Sequence, residues 1–136
     1  MGLAERRVVK AFQDETYPAL AKQVETAAGK EIDMEVKWDT LAEEGKSHLY
    51  QKCWPDVYFA PLIKALEGIC IDDMGKEAIA EGLEKVVIQN EIKTGSPSKW
   101  ASFENKVLTL DHLPATNVGQ IDDRTQAVQK LLEDNL

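Results

Sequence analysis

The sequence predicts a two-layer α+β domain. About four mostly antiparallel strands form one sheet, helices pack on one face of it, and the order is α-β-α-α-β-β-β-α. Three features carry this expectation. Residues 31–38, EIDMEVKW, alternate apolar and polar without a break. Both ends of the chain carry apolar residues at helical spacing instead. Strand-like runs cluster late, between residues 85 and 111. At 136 residues the chain, 1–136, fits one compact domain. Roughly two-thirds of the unfolded surface can be buried at that length, so a core needs no metal or disulfide.

Residues 3–28 read as helix, with Val8, Ala11, Phe12, Ala19 and Val24 near helical spacing and Gly29 as a left-handed cap. Pro18 interrupts this run, predicting a kink or a fresh start at Tyr17-Pro18. In the strand at 31–38, Ile32, Met34, Val36 and Trp38 face one way and Glu31, Asp33, Glu35 and Lys37 the other, so one face is buried and the wet face is acidic. Residues 39–46 are polar and read as a loop or a frayed turn. From 47 to 69 helical spacing returns in Tyr58, Leu62, Ala65, Leu66 and Ile69. Pro55 and Pro61 cut it into pieces, and Gly68 is placed to end it. Asp72 is the expected cap of a helix over 73–82.

The later part reads as a meander. Strands are expected at 85–90, 100–103 and 107–111, with a Gly-Ser-Pro-Ser connection at 95–98. A tight turn falls around Asn105, a residue that tolerates left-handed backbone. A long loop over 112–121 precedes a final helix from about 122, whose stripe is Ile121, Val128, Leu131 and Leu132.

The net charge is −8, and it is concentrated: residues 31–91 hold 14 acids against 6 bases. A chain that grips phosphates needs a cationic footprint. None is visible, so neither nucleic acid nor an anionic membrane is expected as a partner. A basic protein is electrostatically favoured, while acidity serves solubility equally well. The apolar runs are too short for a membrane helix, and MGLAERRVVKAF lacks the apolar core of a secretory signal. The expected location is cytoplasmic, with Cys53 and Cys70 reduced and behaving as small hydrophobes.

For chemistry the candidates are few. Asp111-His112 ends a strand and is followed by Asp122 and Asp123. Neighbours on a strand point to opposite faces, so Asp111 cannot orient the His112 imidazole in regular geometry. A catalytic His112 therefore needs a distant acid, Asp122 or Asp123, brought back by the loop. Otherwise His112 closes a sheet edge and the two acids serve the helix N-terminus. Cys53 and His48, five residues apart, do not share a helix face. No nucleophile elbow, metal-ligand spacing or phosphate-binding loop occurs, so no metal or cofactor is expected. The aromatic segment with Trp54, Tyr58 and Phe59 either lines a contact patch or joins helix to sheet as core.

These readings favour a non-enzymatic interaction module contacting a basic partner through Trp54, Tyr58 and Phe59 and through Glu31, Asp33 and Glu35. Neutralising a basic toxin, as an immunity protein or inhibitor does, and chaperoning are two forms of such a role. A small-ligand protein or enzyme with a pocket near His112, and a homodimer with no other partner built on an uncovered sheet face or an edge strand, are the alternatives.

Overall fold

The computed structural model describes residues 2–136. Its first helical segment runs through α1 (Leu3–Ala11), a π-helical turn (Phe12–Thr16) and α2 (Tyr17–Ala28). Pro18 does not break it. Proline has no N–H, and its ring crowds the carbonyl four residues back. The preceding turn widens instead, so that the Tyr17 N–H bonds the Phe12 carbonyl five residues back, and α2 resumes with Pro18 in its first turn. The same device recurs in α4 (Tyr50–Trp54), the π turn Pro55–Phe59 and α5 (Ala60–Ile69). There the Ala60 N–H bonds the Pro55 carbonyl, and Pro61 opens α5. Each π turn inserts one residue and rotates the buried stripe by about 100°. Phe12 and Val24, and likewise Trp54, Phe59 and Leu62, all remain fully buried across the shift.

Gly29 ends α2 in the left-handed region at φ 73°, as the pattern requires. Gly68 does not end α5. It lies inside the helix where α7 (Ile121–Asn135) comes closest, and a Cβ there would sit 2.8 Å from Gln129 Oε1. Asp72 caps α6 (Asp73–Gly82), accepting the Gly75 N–H at 2.8 Å. The first strand, β1 (Asp33–Val36), is shorter than the alternation suggests, because Trp38 already starts the one-turn helix α3 (Trp38–Leu41).

Four strands form one sheet in the order β1-β2-β4-β3, with β2 at Lys85–Gln89, β3 at Ala101–Glu104 and β4 at Val107–Asp111. β1 and β2 are parallel, β2 and β4 are parallel, and β3 and β4 are antiparallel. The expected antiparallel meander is thus corrected to a mostly parallel sheet. Residues 90–100 carry the chain from β2 past one strand position to the far edge, and β4 returns between β2 and β3. The physical reason lies in the strands themselves: VLTLD can be buried centrally, whereas ASFE carries exposed Ser102 and Glu104 and suits an edge. The β3–β4 turn is a two-residue hairpin with Asn105 at φ 54° and Lys106 at φ 65°, the type I′ signature.

The register sorts the side chains cleanly. Val86, Ile88, Leu108 and Leu110 are fully buried, and Met34, Val36, Ala101 and Phe103 pack beside them against the helices. The opposite face carries Asp33, Glu35, Lys85, Val87, Val107, Thr109, Ser102 and Glu104, all half-buried or exposed. Among the described residues no helix is long and apolar enough to cross a membrane.

Candidate functional site

Of the polar groups that the sequence singles out, Asp111 and His112 lie at the carboxyl end of β4, beside that of β2. Asp111 sits at the end of β4 with its carboxylate turned to the residues that follow β2. Oδ1 accepts the Glu91 N–H at 2.9 Å and the Ile92 N–H at 3.1 Å, and Oδ2 accepts the Gln89 amide at 2.8 Å. The two backbone bonds stitch the start of the 90–100 connection to β4, and the Gln89 bond ties the end of β2 to it.

His112 turns the other way, as the strand alternation requires. It is fully buried. Nδ1–H donates to the Leu113 carbonyl at 2.6 Å, which fixes the neutral tautomer and leaves Nε2 as an acceptor without a partner. The ring stands edge-on to Trp100, with centroids 6.1 Å apart. Burial holds its pKa below the ordinary imidazole value; the bond to Leu113 opposes that shift, and the Arg124 guanidinium adds to it. Among the described residues no carboxylate lies within hydrogen-bond distance of His112. Asp122 and Asp123 are exposed in the first turn of α7, and Asp122 Oδ1 lies 3.8 Å from Lys64 Nζ. They suit the positive end of the helix dipole. The distant acid that a catalytic His112 requires is not supplied by either.

The aromatic segment is core. Trp54, Tyr58 and Phe59 have no accessible surface, so a contact role for these three is corrected: they cannot touch a partner. Trp54 stacks on Tyr50 at 4.3 Å and meets Phe12 edge-on at 5.0 Å, and Trp38 bridges Phe12, Tyr17 and Trp54 at 5.1–5.8 Å. The π turn at Pro55–Phe59 aims Tyr58 at the sheet. Its hydroxyl donates to the His112 carbonyl at 2.6 Å. Burial, with the Asp111 charge beside it, holds the phenol well above its ordinary pKa, so the donor proton stays in place. The aromatic segment and the β4 end are therefore one structural joint.

Arg124 completes that joint, and composition alone did not single it out. Its side chain is fully buried, yet it donates to the carbonyls of Asn117 at 2.7 Å, Val118 at 2.8 Å and Asp56 at 3.3 Å. Trp100 Nε1 donates to the Arg124 carbonyl at 3.3 Å. The signal was present: 124, 128 and 132 share one helix face, so Arg124 extends the stripe of Val128 and Leu132. Cys53 is buried and Cys70 half-buried, and burial raises both thiol pKa values, which disfavours the nucleophilic thiolate.

Two of the remaining exposed candidates, Asp33 and Glu35, lie on the open face of the sheet. Glu31, Asp33 and Glu35 are exposed along and just before β1, an edge strand. Register places Asp33, Lys85, Val107 and Glu104 in one row across the four strands, and Glu35, Val87, Thr109 and Ser102 in the next. Carboxylates thus stand on both edge strands. Between them lies a half-buried strip of Val87, Val107 and Thr109, outside the hydrophobic core. Lys85 Nζ, on the same face, is held by Glu35 at 2.8 Å, an interaction that lowers the Glu35 pKa and raises that of Lys85.

No protein-family model matches the chain, and no curated protein or solved structure matches it either.

Proposed function

We propose that this protein is a non-enzymatic binding domain for a basic protein, and that it docks the partner on the open face of its sheet. One observation carries the reading: a strip of Val87, Val107 and Thr109, with Lys85 beside it held by Glu35 at 2.8 Å, lies between carboxylates on both edge strands, Asp33 and Glu35 on one side and Glu104 on the other. An apolar centre with a charged rim is the usual anatomy of a contact surface. Acids on both rims steer a cationic partner and repel a second copy of the same face. Two of the buried polar side chains at the β4 end support the reading too, since Asp111 and Tyr58 spend their hydrogen bonds on backbone groups and on Gln89.

The test is capture of partners by tagged protein from a native lysate across a salt series. Exposed charge pairs are screened over about 8 Å at physiological ionic strength. A basic protein held in stoichiometric amount at low salt and released at high salt is the expected outcome. Capture indifferent to salt would contradict it.

A further inference from the structure

A second surface lies on the helical layer, lined by residues of α5, α6 and α7 and of the turn between α5 and α6. Ile71 and Met74 are each 81% exposed, and Leu136 is 40% exposed. All three line one groove of about 460 Å³, with Ile69 and Ala78 contributing to it. Large apolar side chains left this open and gathered around one concavity mark a contact site rather than scattered surface residues.

The groove is built on close backbone approach. A Cβ on Gly75 would lie 1.7 Å from the Ile69 carbonyl oxygen, so the first turn of α6 rests directly on the end of α5. At Gly68 the neighbour is a side chain instead, the Gln129 amide of α7, whose Oε1 would lie 2.8 Å from a Cβ there. These contacts fix the walls. The rim is of one sign: the ionisable lining residues are Asp72 and Glu133. Asp72 is held in place by its cap bond from the Gly75 N–H. Neither Lys76 nor Lys130 is among the residues that line the groove, and Lys130 is engaged by Asp134 at 2.9 Å.

We infer that this groove docks an amphipathic helix that carries apolar anchors on one face and lysine or arginine beside them. Apolar anchors at helical spacing are the mode that suits a groove between helices. The acidic rim selects cationic flanks. It also disfavours a second copy of this chain, because a two-fold contact would set Asp72 and Glu133 against the same acids. The inference does not depend on the sheet-face reading, since none of its residues lies in the sheet.

The test uses a designed helical peptide of about 16 residues, with leucine at i, i+3, i+4 and i+7 and lysine on the flanks, and a twin with glutamate for lysine. Methyl NMR follows Ile71 and Met74. The lysine peptide should shift these methyls in a saturable titration. Both the glutamate twin and the variant Met74→Lys should bind at least about tenfold more weakly. Met74 is exposed, so the variant leaves the core untouched. Equal affinity of the twins, no binding, or self-association that occupies the same methyls without peptide would each overturn the inference. Shifts at Val87 and Val107 in place of Ile71 and Met74 would overturn it too, while leaving the sheet-face reading intact.

Discussion

Tyr58→Phe removes one oxygen and leaves the ring in place, so it isolates the bond that joins the π turn to the end of β4. The phenol hydroxyl lies 2.6 Å from the His112 carbonyl, and both residues are fully buried. Water cannot replace the donor without a rearrangement. A buried carbonyl left unpaired costs about 1–3 kcal/mol, and no cavity term adds to it because the ring volume is unchanged. For a chain of 136 residues the unfolding entropy is about 0.29 kcal/mol/K, so each kcal/mol moves Tm by about 3.5 °C. The expected loss is therefore about 4–10 °C, read by circular dichroism. The urea midpoint should fall in step and the slope m should not change. A loss under about 0.5 kcal/mol, the range of an ordinary surface substitution, would refute the claim that this bond is a structural joint.

Three further outcomes follow from the same geometry. His112 is buried neutral with its pKa lowered below the usual 6.5, so the unfolded chain takes up its proton first as pH falls. Stability from this group is present above pH 6.5 and is lost as pH drops from there toward the folded pKa; His112→Gln should flatten that part of a stability–pH curve. Asp111→Ala removes the acceptor for Glu91 and Ile92, so amide exchange at those two residues should accelerate and overall stability fall by about 1–3 kcal/mol. Lys106→Gly relieves left-handed backbone at φ 65° in the hairpin. It should raise stability by about 0.5–1 kcal/mol, because the strain removed exceeds the entropy added to the unfolded chain; a fall in the urea midpoint would contradict this.

Local features were legible in the sequence wherever one residue type sets backbone geometry. Asp72 caps α6, Gly29 closes α2, and Asn105 opens the hairpin, each where its chemistry demands. The alternation of residues 31–38 gave both the buried and the acidic face of β1. What misled was proline. Pro18, Pro55 and Pro61 suggest interruptions, yet a widened turn precedes both Pro18 and Pro61 and keeps the stripe buried, and Pro55 is itself the first residue of the second widened turn. Strand order was misread for a topological reason. The eleven residues from 90 to 100 exceed the 2–5 typical of a hairpin loop, so β2 and β3 had no need to be neighbours. The candidate site was half legible. Alternation alone separated Asp111 from His112, and the acids of β1 are exposed as the pattern implied. The burial of Trp54, Tyr58 and Phe59 depends on contacts with Phe12, Trp38 and His112, which local spacing does not encode.

The measurement closest to the central claim is the same capture experiment with the charges of the sheet face reversed. Asp33→Lys, Glu35→Lys and Glu104→Lys alter exposed side chains on both edge strands, and circular dichroism can verify that the fold persists. The account predicts that a basic protein bound by the unaltered chain at low salt is absent from the variant's eluate. Equal recovery by both chains would contradict it.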